Sequence, residues 1–238
     1  MERRNFLFSS AALGLSMTAS TVSKALAQET KGLALLQGSN KLIPPEQGLI
    51  PVAFAISQGT TDIDWVGPEA VFETWHLDPI VKKPAPRFKL FTVGEKLEPM
   101  GNFVPDYTFD TAPPAKIVVV PAQVGSPALL EWLKSTYRTA DVTMSVCIGA
   151  RQLAKAGLLN GQTATTHHGA LAQFRKEFPD VKWVGGVRFV EGDKISTGGG
   201  LTAGIDLALH VTERYFGRVE TQMVADHLEY EGKGWIVD

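Results

Sequence analysis

Cys147 is the single cysteine of a 238-residue chain, and its neighbours suit it to covalent chemistry. Residues 142–146 (Val-Thr-Met-Ser-Val) read as a strand, and Cys147-Ile148-Gly149-Ala150 follows without a break as the start of a helix. A strand that turns at once into a helix needs a small residue behind the turn, and Gly149 provides it. This is the arrangement of a nucleophile elbow, with Cys in the Ser position. The free amides and dipole of a helix N-terminus favour a thiolate there. They do not suffice alone. Lowering a thiol from about 8.5 to about 6 takes roughly 3.4 kcal/mol, whereas a helix end supplies ~0.3–1 kcal/mol, or ~2 when partly buried. A partly anionic sulfur therefore requires a second group, expected at the end of a neighbouring strand. The plainer alternative is a cysteine that only fills space in the core.

Alternating strands and helices must position such a residue. Residues 49–56 are an apolar run and 117–120 a continuous β-branched one, as buried parallel strands are, and 88–93 and 142–146 read as further strands. Residues 69–77 carry Val71, Phe72 and Trp75 at helical spacing. Ser126-Pro127 sets an N-cap and an N1 proline ahead of a second helix. A third helix runs from Cys147 to Gly157, and further ones cover 171–178, a long stretch from Gly198-Gly199-Gly200 to Phe216, and 219–229. Residues 94–115 suit a hairpin or an irregular connection, and 163–166 read as a strand. Residues 181–190 and 194–197, joined by Glu191-Gly192-Asp193, read as a β-hairpin. The pattern predicts one α/β domain over residues 48–238, with a mostly parallel sheet covered by helices on both faces. Ligands of such sheets bind beyond the carboxyl ends of central strands, where Cys147 falls.

Hydrophobic residues make up 44% of the chain and charged residues 20%, which supports a sizeable core and excludes global disorder. The 23 Lys+Arg against 25 Asp+Glu show no basic excess, so no nucleic-acid partner is expected. A single cysteine excludes an internal disulfide and a Cys-cluster metal site, and the five His have no metal-ligand spacing. No cofactor and no metal are expected.

Residues 1–27 read as an address. Arg3-Arg4 precede an apolar run to about Ala19, and Ala25-Leu26-Ala27 offers small residues for cleavage. The paired arginines with Phe6-Leu7 behind them, and Lys24 near the cleavage point, fit the twin-arginine route. An ordinary secretory signal with two chance arginines is the alternative. The run is shorter than the ~20 apolar residues a bilayer requires, so a periplasmic or otherwise exported product without a membrane anchor is expected. Residues 28–47, polar and interrupted by Pro44-Pro45, read as a linker or an N-terminal arm.

The ordered set of motifs resembles a known family. Ser145-Val146-Cys147-Ile148-Gly149-Ala150 is followed by residues 153–161 (Leu-Ala-Lys-Ala-Gly-Leu-Leu-Asn-Gly) and then by Ala164-Thr165-Thr166-His167. Asp64-Trp65-Val66-Gly67-Pro68-Glu69 follows the first strand, and residues 198–206 (Gly-Gly-Gly-Leu-Thr-Ala-Gly-Ile-Asp) precede the long helix. Together these resemble the DJ-one/PfpI superfamily over about residues 49–230, most of all its branch of isonitrile hydratases and AraC-type sensor domains. The resemblance implies a flavodoxin-like three-layer sandwich, a homodimer, Cys147 as the reactive centre and Asp64 as its acidic partner; the rival reading of Asp64 is an exposed residue that enters a Gly67-Pro68 turn. It implies an oxyanion site of backbone amides at Ile148 and Gln123, and it places His167 at the family's histidine position, as a pocket group or a structural one. His168, Trp65 and Gly67 are further pocket candidates, with core filling the rival reading for Trp65. Two departures touch the pocket: Ile148 stands where relatives with hydratase activity commonly carry Thr, and Pro121-Ala122-Gln123 replaces the usual Pro-Gly-Gly.

The resemblance implies attack of Cys147 on an isonitrile carbon, proton donation by Asp64, and release of an N-substituted formamide. A second class is a thiol-based redox or small-ligand sensor of the same fold. A third is another cysteine hydrolase or glyoxalase-like activity. The partner in each case is a small molecule. The regulators of this branch append a helix-turn-helix region, which is not expected here.

Overall fold

The computed structural model describes residues 34–36, 41–74, 87–99 and 103–237. Residues 1–27, read above as a signal, and Trp75 lie outside the described residues. The main sheet has eight strands: β1 (Ala34–Leu36), β2 (Ile50–Ala55), β3 (Phe88–Gly94), β4 (Tyr107–Thr108), β5 (Ile117–Val120), β6 (Val142–Ser145), β9 (Phe189–Glu191) and β10 (Ile195–Gly198). Their order is β1-β9-β10-β6-β5-β2-β3-β4. Every pair is parallel except β9 with β10, the hairpin expected from Glu191-Gly192-Asp193. The hairpin is shorter than its sequence suggests. Its first part, β8 (Lys182–Trp183), instead pairs with β7 (Thr163–Ala164) in a separate two-stranded parallel sheet. Within the segment expected as a linker or arm, β1 lies parallel to β9 at the sheet edge.

Strand alternation divides the core into two layers. Val52 and Phe54 of β2, with Ile117 and Val119 of β5, face the helices α1 (Ile63–Glu73), α5 (Ala203–Phe216) and α6 (Arg218–His227). Ala53, Ala55, Val118 and Val120 face α2 (Pro127–Tyr137), α3 (Ala150–Lys155) and α4 (Leu171–Glu177). All four residues of β5 and of β6 are buried, as expected for central strands with helices on both sides, although β6 includes Thr143 and Ser145. The result is a three-layer α/β sandwich.

Helix starts are set by local chemistry. Ser126 caps α2 by accepting the Leu129 amide at 3.1 Å, with Pro127 at the first helical position. The helix α1 begins six residues earlier than its apolar spacing suggests and contains Pro68. Gly67 is buried rather than part of a pocket or turn. A Cβ there would sit 3.0 Å from Cγ1 of Ile205, so Gly67 allows α1 to lie close against α5. That early start has a chemical consequence, because it puts Asp64 in the first turn, beyond the carboxyl end of the central strand β2.

Among the described residues, no helix is long and apolar enough to cross a membrane.

Candidate functional site

The strands β6, β5 and β2 are neighbours, all parallel, so their carboxyl ends open side by side. Chain direction also switches between β2 and β5: β2 leads outward to β3, and β5 leads to β6 on the other side. Ligand crevices form at such switch points. Each of the three ends contributes one part of the site: Asp64 after β2, Ala122 after β5, and Cys147 after β6.

Cys147 has φ +58°, a left-handed conformation that costs a non-glycine residue about 1–2 kcal/mol. Both of its backbone polar groups are held. Its N–H donates to the Gly199 carbonyl at 2.7 Å, and its C=O accepts the Thr166 hydroxyl at 2.8 Å. Residues Cys147–Gly149 form a single 3₁₀ turn before α3 rather than the start of a full α-helix. The elbow predicted from the sequence is thus present, with Cys147 8% exposed.

Asp64 is fully buried, not the exposed turn residue that the Gly67-Pro68 pair alone would suggest. Its Oδ2 accepts the Ala122 amide at 3.1 Å, its Oδ1 has no hydrogen-bond partner, and the carboxyl lies within interaction range of the Cys147 side chain. Two backbone amides lie near the sulfur and favour its charged form, those of Ile148 and Leu201. Ile148 is one of the two amides that the resemblance implies for an oxyanion site. Leu201 is not, although it lies in the Gly-rich stretch before α5, where its φ is +50°. Gln123 occupies the expected strand end, but its side-chain amide is turned inward, donating to the carbonyls of Ala55 at 2.9 Å and Pro121 at 3.2 Å.

Electrostatics overturns one expectation. Burial pushes the Asp64 carboxyl up to about 6, against the Ala122 amide and the Cys147 thiol. Burial, followed by the Asp64 charge, pushes the Cys147 thiol up to about 11, against the Ile148 and Leu201 amides. Between those values the pair keeps one proton, and it resides on sulfur. The partly anionic thiolate inferred from the helix end is therefore not the resting state. A single 3₁₀ turn and two amides do not offset the loss of water and a buried neighbouring carboxylate. At neutral pH the pair is a thiol beside a base. Alkylation of Cys147 by iodoacetamide should accordingly keep accelerating above pH 9, with its midpoint near pH 11. A midpoint at or below pH 7 would show a resting thiolate and contradict this assignment.

The remaining candidates divide between core and cleft. Trp65 packs edge-on against Phe54 and Phe103, with ring centroids 6.0 and 5.2 Å away, and belongs to the core that backs Asp64. His167 is half-buried, its Nδ1 accepting the Gly169 amide at 3.1 Å. His168 is exposed and stacks on His167 at 4.3 Å. Both line a cleft that shares the wall Gly199–Leu201 with the elbow.

Residues 51–214 match the profile of the DJ-1/PfpI family. The chain belongs to the DJ-1/PfpI family. It is 34% identical over 136 residues to an isonitrile hydratase of Pseudomonas putida, which covers 53% of this chain and 57% of the hydratase. It is 33% identical over 97 residues to the HTH-type transcriptional regulator CdhR of Pseudomonas aeruginosa, covering 41% of this chain and 29% of the regulator. The chain thus spans between about a third and somewhat over half of these two relatives. Among solved structures, a ThiJ/PfpI family protein of Pseudomonas syringae superposes with a TM-score of 0.67 at 24% identity, covering 83% of this chain and 81% of that one. Schizosaccharomyces pombe DJ-1 superposes at 0.61 and 15% identity, over 75% of this chain and 98% of that one. The structural likenesses establish the flavodoxin-like fold.

Proposed function

We propose that this DJ-1/PfpI protein hydrates an isonitrile to an N-substituted formamide, with Cys147 as nucleophile and Asp64 as its proton carrier. The observation that supports this reading best is the buried Asp64 carboxyl set beside the Cys147 thiol at the elbow. The partial likeness to an isonitrile hydratase indicates the substrate class. As sulfur attacks the terminal isonitrile carbon, its proton passes to Asp64. Asp64 then protonates that carbon, leaving a thioimidate, R–N=CH–S–Cys147. Water adds to this carbon with Asp64 as base, the C–S bond breaks, and the thiol regains its proton as R–NH–CHO leaves. One water is consumed and no redox partner enters. The amides of Ile148 and Leu201 stabilise charge on sulfur while it is anionic.

Incubating the full chain with simple aliphatic and aromatic isonitriles and measuring formamide tests the proposal. Turnover should be at least about a hundredfold above a Cys147→Ala control, the scale of one positioned catalytic group. No formamide above that control across several isonitriles would refute it. The regulator match favours a second reading, a ligand-sensing module, and saturable isonitrile binding without formamide would select it. Export through residues 1–27 and a homodimeric state belong to the same proposal. The N-terminal mass of the mature protein and its mass in solution test them.

A further inference from the structure

Behind the elbow lies a cleft of about 380 Å³, within the size range of small-molecule sites. Its lining includes one arginine and two histidines but no Asp or Glu. By contrast, the cleft of about 710 Å³ beyond β2 and β3 carries Asp62, Glu95 and Glu98 against Lys96 alone. The two openings therefore differ in lining: the first offers donors, with Arg188 paired to Asp206 behind it, and the second offers mainly carboxylates.

Arg188 is fixed from behind. Its Nε donates to Oδ2 of Asp206, and its Nη2 donates to the Thr202 hydroxyl at 3.1 Å. Asp206 is itself buried and accepts the Tyr230 hydroxyl at 3.1 Å. The Arg188 side chain retains 31% of its exposure, so a guanidinium anchored on one edge presents its remaining N–H groups to the cleft. Such anchoring removes much of the ordering cost of holding an anion. His167 adds a second donor. Because Nδ1 accepts the Gly169 amide, Nε2 carries the ring proton. The ring lies over Gly200, where a Cβ would come within 2.4 Å of Cδ2 of His167. Glycine at 200 therefore lets the imidazole lie against the cleft wall, with exposed His168 stacked on it.

We infer that this cleft binds a small oxyanion, a carboxylate-bearing molecule or inorganic phosphate, with Arg188 and His167 as donors. Binding here does not depend on the reactivity of Cys147, so it stands apart from the hydratase proposal. Isothermal titration of the full chain with sodium benzoate and, separately, with sodium phosphate tests it. Saturable 1:1 binding in at least one arm is expected. Binding of benzoate alone identifies an organic carboxylate, and binding of phosphate alone identifies a phosphoryl or inorganic ligand.

Arg188→Gln and His168→Asp should each weaken binding at least about tenfold, while Cys147→Ala should leave it unchanged. Arg188→Gln removes the cation from buried Asp206 and could unfold the chain. His168→Asp places a carboxylate at an exposed position and does not carry that risk. No saturable binding in either arm up to the order of 10 mM, or binding unaltered by His168→Asp, would overturn the inference.

Discussion

Replacing Asp64 by Asn should abolish isonitrile turnover, by about 10²–10⁴-fold, while making the protein more stable at pH 8. Asn keeps an oxygen to accept the Ala122 amide but can neither take the thiol proton nor return it to carbon. The stability gain follows from the direction of the carboxyl shift. Asp64 is raised to about 6, so the folded state holds this proton more tightly than the unfolded chain, whose carboxyl titrates near 4. The resulting stabilisation is complete below about pH 4 and is lost as pH rises through about 6. Above that, a buried ionised carboxylate opposes folding, and removing it should yield on the order of 1–2 kcal/mol. Urea midpoints at pH 8 and pH 4 read this directly: the variant should lead at pH 8 and lose its lead at pH 4. A variant less stable than the parent at pH 8 would contradict the assignment. Alkylation provides an independent sign. Loss of the like charge lowers the thiol, so the variant should react faster with iodoacetamide at pH 8 while turning over nothing. Simple misfolding would not combine a more reactive thiol with a higher urea midpoint.

The Cys147 thiol makes the same kind of contribution at the alkaline end. Its pKa is raised to about 11, so its share of stability is full below the ordinary thiol range and disappears as pH climbs through 11. Near neutral pH the thiol is neutral, and of the two groups only the ionised Asp64 sets the site at odds with the fold. The electrostatic cost of the ionised acid at neutral pH is what makes it a competent base toward a thiol it touches. The strain at Cys147, with φ +58°, adds to the same cost, and the Gly199 and Thr166 hydrogen bonds offset it.

The elements nearest the site were the easiest to read from sequence. The run 117–120 is buried on both faces, and burial from two sides selects for its unbroken β-branched character, while the strand into Cys147 was marked by the elbow motif that follows it. Asp64 was identified only by resemblance, because its burial depends on α1 starting at Ile63, and the Gly67-Pro68 pair disguises that start as a turn. The pair is explained by helix packing against Ile205, a tertiary contact with no local signature. The Leu201 amide was missed for a similar reason. A backbone N–H carries no residue identity, and this one comes near the sulfur through the packing of the Gly-rich turn against the elbow. The resting charge of the thiol was misjudged because local reasoning saw the helix end that lowers it and not the burial that raises it.

Gly149→Ala should be among the most destabilising single substitutions in the chain, for a steric rather than a conformational reason. A Cβ at this position would lie 2.1 Å from the Val120 carbonyl oxygen and 2.7 Å from that of Pro121. Both are backbone atoms at the end of β5 and cannot swing aside as a side chain would. Relief requires lifting the elbow turn away from the neighbouring strand, which draws Cys147 from Asp64 and from the Gly199 carbonyl together. A loss of at least about 3 kcal/mol is expected, above the usual range for overpacking because backbone has to move. Gly157→Ala supplies the comparison. Gly157 has φ +76°, yet a Cβ there meets nothing closer than Nδ2 of Asn160 at 3.8 Å. That change should cost only about 1 kcal/mol, from the left-handed backbone alone. Urea unfolding of both variants separates the two causes. If Gly149→Ala falls within about 0.5 kcal/mol of the parent, the elbow is not pressed against β5, and the Asp64–Ala122–Cys147 arrangement loses the constraint that holds it.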